Sequence, residues 1–312
     1  MQPKIATIFG ASGFVGRHLI RKLTEKNYRI IIITRSPYLH GYLKPLGNPG
    51  QIDLEKVNIF DEEKLRVVLK SSDIVINLIG ILYETRKQKF ENIHVKFTEL
   101  LSKLCAEYNV KKIIHLSALG LRKEIKSKYT QSKLKGENNI LSNFKNTYIL
   151  RPSVIFGPED KFFNQFALFA QFLPFLPLIG GGKTKFQPVY VGDVAKAIVA
   201  LIEKEELNNN IFELGGPEIF TFKELMEILL KEIKKKRFLM PIPFNTAKFL
   251  SYFLQLMPNP LLTPDMVENL KFNNIVSGQF PTLKDLNINP ISIQSILPKL
   301  KLYRFRTDGQ FG

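Results

Sequence analysis

Along the first half of the chain, short runs of consecutive apolar residues alternate with longer stretches whose apolar positions recur at helical spacing. The runs near 4–9, 29–34, 51–57, 74–78, 112–117 and 147–151 are strand-length and nearly continuous, as strands buried on both faces must be. Between them the spacing predicts helices starting after Gly13 and over 61–69, 91–108 and 129–141. Strand then helix, repeated, predicts βαβ units and a parallel sheet covered on both faces. The expected fold class is α/β: a Rossmann-type doubly wound parallel sheet with a smaller C-terminal α/β cap.

After Arg151-Pro152 the pattern changes. Residues 162–180 are rich in Phe, Leu and Pro and end in Gly180-Gly181-Gly182, while Pro188-Val189-Tyr190-Val191 and a helix over 193–203 read as a return to the main sheet. A helix at 222–235, an apolar stretch at 246–257 and a proline-punctuated tail follow. The division expected is a Rossmann domain of 1–155 plus 186–205, with a cap of 156–185 plus 206–312. Asn164, Gln165, Gln171, Pro174 and Pro177 interrupt the 162–180 run, and a membrane-spanning helix needs about 20 mostly apolar residues. No transmembrane span is expected, and both 162–180 and 246–257 read as core elements.

Composition narrows the classes further. The net charge of +17 would suit nucleic acid, anionic lipid or an acidic protein, but the lysines are spread through every segment and no nucleic-acid-binding motif accompanies them. No nucleic-acid partner is expected; a peripheral contact with an anionic membrane surface is compatible with the charge. The opening apolar run at 5–9 is strand-sized, so no leader is read from it. The single cysteine, Cys105, has no partner for a disulfide and no metal-ligand spacing; it reads as a packing thiol in a reducing compartment, and no metal site is expected.

The chemistry begins at Gly10-Ala11-Ser12-Gly13-Phe14-Val15-Gly16, a glycine pattern that follows a strand and opens a helix. In such a turn the first glycine permits the bend, the second lets backbone approach a pyrophosphate, and the third lets helix and strand pack closely. Thr34-Arg35-Ser36 ends the second strand, where an acid would bind a ribose 2′-OH; Arg35 there suits a 2′-phosphate, so NADP(H) is expected over NAD(H). Tyr129 and Lys133, four apart on a helix, share one face. A lysine ammonium beside the phenol would lower its pKa towards an acid/base range.

With these motifs, Asn77-Leu78-Ile79-Gly80, Arg151-Pro152-Ser153 and Pro188-Val189-Tyr190-Val191-Gly192-Asp193 in this order, the chain resembles the extended and atypical short-chain dehydrogenases/reductases nearly end to end. Val75-Ile76-Asn77-Leu78-Ile79-Gly80, Tyr83-Glu84-Thr85 and Ile155-Phe156-Gly157-Pro158-Glu159-Asp160 are similar to the thirty-nine-kilodalton subunit family of respiratory complex I and its bacterial relatives. The resemblance implies a tightly held NADPH and a role beside NADH:quinone oxidoreductase or quinone-biosynthesis proteins. It implies a location in the bacterial cytoplasm or a mitochondrial-matrix-like compartment, peripheral to the inner membrane. Carried over by position, it implies Gly10, Ser12, Gly13, Phe14, Val15 and Gly16 at the pyrophosphate, Arg35 at the 2′-phosphate, and Asn58 and Ile59 at the adenine. Leu78, Ile79 and Gly80 would border the ribose; Ser117, Tyr129 and Lys133 would form the catalytic set beside the nicotinamide, and Pro152 and Val154 would meet the carboxamide.

One departure bears on activity. Active extended members carry two adjacent hydroxyls after the fifth strand, the second polarising the substrate carbonyl, whereas this chain has Ser117-Ala118. On that register the catalytic hydroxyl is missing, although a shift of one residue would restore it. An oxyanion donor of this kind is worth roughly 2.7–4 kcal/mol. His94 also stands where an asparagine is usual in the proton relay, with an inert histidine as the plainer reading. Two functions lead: a nucleotide-holding accessory protein with little turnover, or an active NADPH-dependent reductase or epimerase using Tyr129 and Lys133, with 162–175 lining an apolar substrate pocket. A basic surface binder that kept the Rossmann fold is a third, resting on charge alone.

Overall fold

The structure, a computed structural model, describes residues 3–204, 207–257 and 260–299. The six expected strands form as β1 (Ile5–Phe9), β2 (Arg29–Thr34), β3 (Ile52–Lys56), β4 (Ile74–Asn77), β5 (Lys112–Leu116) and β6 (Thr147–Pro152). Short strands β7 (Ile155–Phe156), β8 (Phe175–Ile179), β9 (Lys185–Phe186) and β10 (Val189–Tyr190) precede β11 (Ile211–Leu214), β12 (Phe220–Thr221) and β13 (Phe238–Ile242). The main sheet runs β11-β6-β5-β4-β1-β2-β3, every pairing parallel. The order reverses between β1 and β4, which makes the carboxy end of β1 the topological switch point where ligands of such sheets sit.

The seventh strand, β11, lies inside the segment expected to belong mainly to the cap, yet it joins the main sheet. It is only four residues long and carries a charge at Glu213, so its hydrophobic signal was too weak to read. Glu213 is buried because its carboxylate accepts the Ser277 N–H at 2.5 Å.

Helices α1 (Phe14–Glu25) and α6 (Val191–Glu203) cover one face; α2 (Glu62–Leu69), α3 (Phe97–Glu107) and α4 (Lys128–Asn143) cover the other. Val15, Leu19, Ile20 and Leu23 of α1 pack on α6 through Val194, Ile198 and Leu201. Each large side chain so buried contributes about 1.5–3 kcal/mol. The helix expected over 91–108 forms with a π-turn, Glu91–Lys96, at its start. Lys112 sits in a central strand because its ammonium caps α6, donating to the carbonyls of Leu201 (2.8 Å), Ile202 (3.4 Å) and Lys204. A cation is favourable there, at the negative end of the helix dipole.

The 162–180 run is not one helix. It divides at Pro174 into α5 (Lys161–Phe172), capped by Asp160, and β8. Phe163 is buried, and Phe162 and Phe166 meet Phe222 of α7 (Phe222–Glu232) edge to face, so the aromatic run contributes to the cap's core. The core expectation for 246–257 is also corrected: α8 (Phe244–Leu254) buries only Ala247 and Ser251, while Phe249, Phe253 and Leu256 are 63%, 61% and 80% exposed. Among the described residues no helix is long and apolar enough to cross a membrane.

Arg151 of β6 grips Glu137 of α4, with Nε to Oε1 at 3.0 Å and a second bond from Nη2 to Oε2. Both side chains are removed from water, at 12% and 2% exposure. Glu137→Ala strands the guanidinium, so it is expected to cost about 3–5 kcal/mol in urea unfolding. Replacing both partners with Met should recover most of that loss; equal damage from the double variant would contradict the pairing as the cause.

Candidate functional site

The carboxy ends of β1 to β6 bring the sequence-marked residues to one edge. Gly10 leaves β1 at φ +81°, and a Cβ there would lie 3.1 Å from the Leu78–Ile79 backbone. Gly16 is tighter: its Cβ would stand 2.2 Å from the Ala11 carbonyl oxygen, so only glycine lets α1 dock against the turn. Gly13 is the N-cap of α1, and no side chain caps that helix. The first-turn N–H groups of Phe14, Val15 and Gly16 therefore have no helical acceptors, with Ser12 half-buried beside them.

On one side of this turn Arg35, just past β2, is exposed and makes no hydrogen bond or ion pair among the described residues. Thr34 behind it holds His40 through Oγ1 to Nδ1 at 2.8 Å. Asn58 and Ile59 follow β3, with Asn58 turned by a bond from the Phe60 N–H to its Oδ1. On the other side lie Leu78, Ile79 and Gly80 after β4, Ser117 after β5, and Pro152 and Val154 at the end of β6. All the marked residues thus gather along the edge that the switch point defines.

Tyr129 and Lys133 share a face of α4, as their spacing requires. Lys133 is buried, its Nζ donating to the Leu116 carbonyl at 3.1 Å, and a Cβ on Gly80 would lie 3.2 Å from that nitrogen. The expected lowering of the tyrosine pKa is not what the structure gives. Burial, with Glu137 adding, pushes the Tyr129 phenol up to about 12, and burial brings Lys133 down to about 8. Ser117 is buried, and its Oγ has no hydrogen-bond partner among the described residues; nor do Asn77 Nδ2 and His115 Nδ1 on the neighbouring strands. Ala118 beside it supplies no hydroxyl.

His94 occupies the π-turn against Tyr129, ring centroids 5.7 Å apart. The Ile81 N–H donates to Nε2 at 3.1 Å, which places the ring proton on Nδ1, 2.9 Å from Ser132 Oγ; Ser132 in turn donates to the Tyr129 carbonyl at 2.8 Å. Both nitrogens are committed, and burial with the nearby Lys133 pulls the pKa down to about 3. A cavity of about 650 Å³ opens at the opposite, amino-terminal edge of the sheet, bounded by Lys145, Asn210 and Phe280. It brings together none of the chemistry gathered at the glycine turn.

The residues present fit a dinucleotide. Two features leave room for phosphate and ribose oxygens: a helix start with no side-chain cap, set on a turn that only glycine can make, and a buried hydroxyl without a partner among the described residues. Sequence reasoning missed Glu137, one turn beyond Lys133 on the same face, and Asp265 and Asn274, whose links to this edge cross more than a hundred residues. Only Glu137 had a sequence signal, the repeat of four after Tyr129 and Lys133.

Because His94 takes a proton near pH 6.5 when unfolded but only near 3 when folded, unfolding takes up a proton between those limits. Stability must fall as pH drops through that window, and buried His115, also lowered, acts in the same direction. His94→Gln is expected to flatten the decline measured by denaturant midpoints between pH 6.5 and 4. An unchanged slope would rule out His94 as a source.

The NAD dependent epimerase/dehydratase family pattern matches residues 6–215. NADH dehydrogenase [ubiquinone] 1 alpha subcomplex subunit 9, mitochondrial, of Arabidopsis thaliana is 34% identical over 98% of this chain and 79% of its own length. The Mus musculus protein of the same name is 32% identical over 96% and 81%. The UDP-N-acetylglucosamine 4-epimerase of Methanobrevibacter ruminantium M1 shares the fold, with a TM-score of 0.70 at 18% identity over 96% of this chain and 97% of its own. This chain belongs to the NAD dependent epimerase/dehydratase family, in the group that includes the subunit 9 proteins of NADH dehydrogenase.

Proposed function

We propose that this protein is an accessory component of an NADH:quinone oxidoreductase that holds NADP(H) tightly and turns it over little. The observation that carries the reading is an edge complete for binding and incomplete for reaction. Gly10, Ser12, Gly13, Phe14, Val15 and Gly16 present backbone N–H groups to a pyrophosphate, and Arg35 offers an unpaired guanidinium to a 2′-phosphate. Asn58 and Ile59 would flank the adenine; Leu78, Ile79 and Gly80 the ribose; Pro152 and Val154 the carboxamide. Lys133 and the partnerless Ser117 hydroxyl stand on the nicotinamide side.

A bound nicotinamide would supply a hydride, but the proton that must accompany it has a poor route. Ala118 cannot polarise a carbonyl, the Tyr129 phenol is held up to about 12, and His94 has both nitrogens engaged. Similarity to a subunit 9 protein over 98% of this chain and 79% of that protein supports the assembly role, and the exposed apolar face of α8 is the part of the surface a partner complex would cover.

The test is a spectrum of freshly purified protein. Reduced-nicotinamide absorbance is expected to copurify and to persist when ketones, sugar nucleotides or quinone precursors are added. Rapid oxidation that Tyr129→Phe abolishes would instead establish the reductase or epimerase reading. Arg35→Glu removes a charge-assisted contact of about 1.5–3 kcal/mol. Titration by fluorescence should then show NADPH binding weakened roughly ten- to a hundredfold with NADH binding little changed. Equal loss for both nucleotides would count against the 2′-phosphate assignment.

A further inference from the structure

The start of α4 is held from far down the chain. Helix α9 (Pro264–Asn269) places the Asp265 carboxylate at the first turn, where it accepts the N–H groups of Lys128 (3.0 Å) and Tyr129 (2.7 Å) and the Ser127 hydroxyl (2.9 Å). Ser127 Oγ in turn accepts the Thr130 N–H at 3.2 Å, and the Thr130 hydroxyl donates to Asn269 at 2.9 Å. Three free N–H groups of α4 are thus satisfied directly or indirectly by one carboxylate, at the positive end of the helix dipole.

The same segment also clasps the loops after β5 and β6. Asn274 donates from Nδ2 to the Leu119 carbonyl at 2.8 Å, and its Oδ1 accepts the Ser153 hydroxyl at 2.6 Å. Leu119 follows Ala118 and Ser153 follows Pro152, so both anchors sit next to the nucleotide edge.

On its other side α9 carries α8. Lys248 pairs with Glu268 at 2.7 Å, and the two helices share a small core in which Ile179, Ala247 and Val267 are the buried side chains. So small a core gives little independent stability, and beside the β13–β8 pairing that leads into α8 and the Thr184 hydroxyl on the Leu270 carbonyl, the unit is held by its polar anchors to α4 and the two loops.

We infer that Asp265 is a positioning residue for Tyr129 and the nucleotide edge, and that nucleotide binding and ordering of the α8–α9 unit form one linked equilibrium. This rests on the proposed nucleotide site. By linkage, whatever fixes α4 and the loops after β5 and β6 also holds α8, and whatever covers α8 tightens the nucleotide.

Hydrogen exchange on the full chain with and without NADPH, beside NADPH affinity by fluorescence, tests it. Wild type should show slowed exchange both at 10–25 and at 244–270. Asp265→Ala should lose the second protection and weaken NADPH about tenfold. Asp265→Asn, which keeps one acceptor oxygen, should fall between the two. If Asp265→Ala does not fold, Ser127→Ala tests the same link and should reduce both effects. Protection at 10–25 without any at 244–270, or unchanged affinity in Asp265→Ala, overturns the inference and leaves the nucleotide site standing. No binding and no protection at 10–25 removes both.

Discussion

Backbone pressed on backbone at the end of the first strand is the constraint from which the rest of the structure follows. A Cβ on Gly16 would enter the Ala11 carbonyl, and one on Gly10 would press on the chain leaving β4. Because no side chain stands between them, α1 starts directly over the sheet with its N–H groups uncovered. The sheet order reverses at the same place, so the loops after β2 and β3 diverge to one side and those after β4, β5 and β6 to the other. Arg35, just past β2, and Lys133, whose ammonium meets the end of β5, therefore stand on opposite sides of the switch point.

That frame was legible in the chain because its signals are local. Strands buried on both faces need continuous apolar runs, and a glycine turn between strand and helix is written in seven consecutive residues. What escaped was non-local or quantitatively weak. Strand β11 is four residues long with a charge in it, and only the Ser277 N–H makes Glu213 tolerable there. Helix α8 has the composition of a core helix, and no local rule distinguishes a face that a fold covers from one it leaves open. The Tyr129 and Lys133 spacing was readable, but their electrostatics were not. Burial decides them first, with Glu137 second, and burial is a tertiary fact.

Helix α4 is the element through which these separate features meet. It carries Tyr129 and Lys133 on one face and is tied to β6 by Glu137 and Arg151. Its first turn rests on Asp265, and its flank touches His94 through Ser132. A helix so fixed keeps its side chains in place whether or not they transfer protons. The positions of Tyr129 and Lys133 are therefore fixed independently of Ala118, which supplies no hydroxyl.

The late strand β11 has a consequence for how the chain reaches this state. Strand β6 cannot be paired on its outer edge until the whole of α5, β8 and α6 has been made, because its partner comes after them. During synthesis the emerging sheet therefore carries an open, apolar edge, Tyr148-Ile149-Leu150, of the kind that recruits foreign strands. The exposure of β6 ends only when Ile211–Leu214 docks, and the edge then passes to a four-residue strand that carries the charged Glu213.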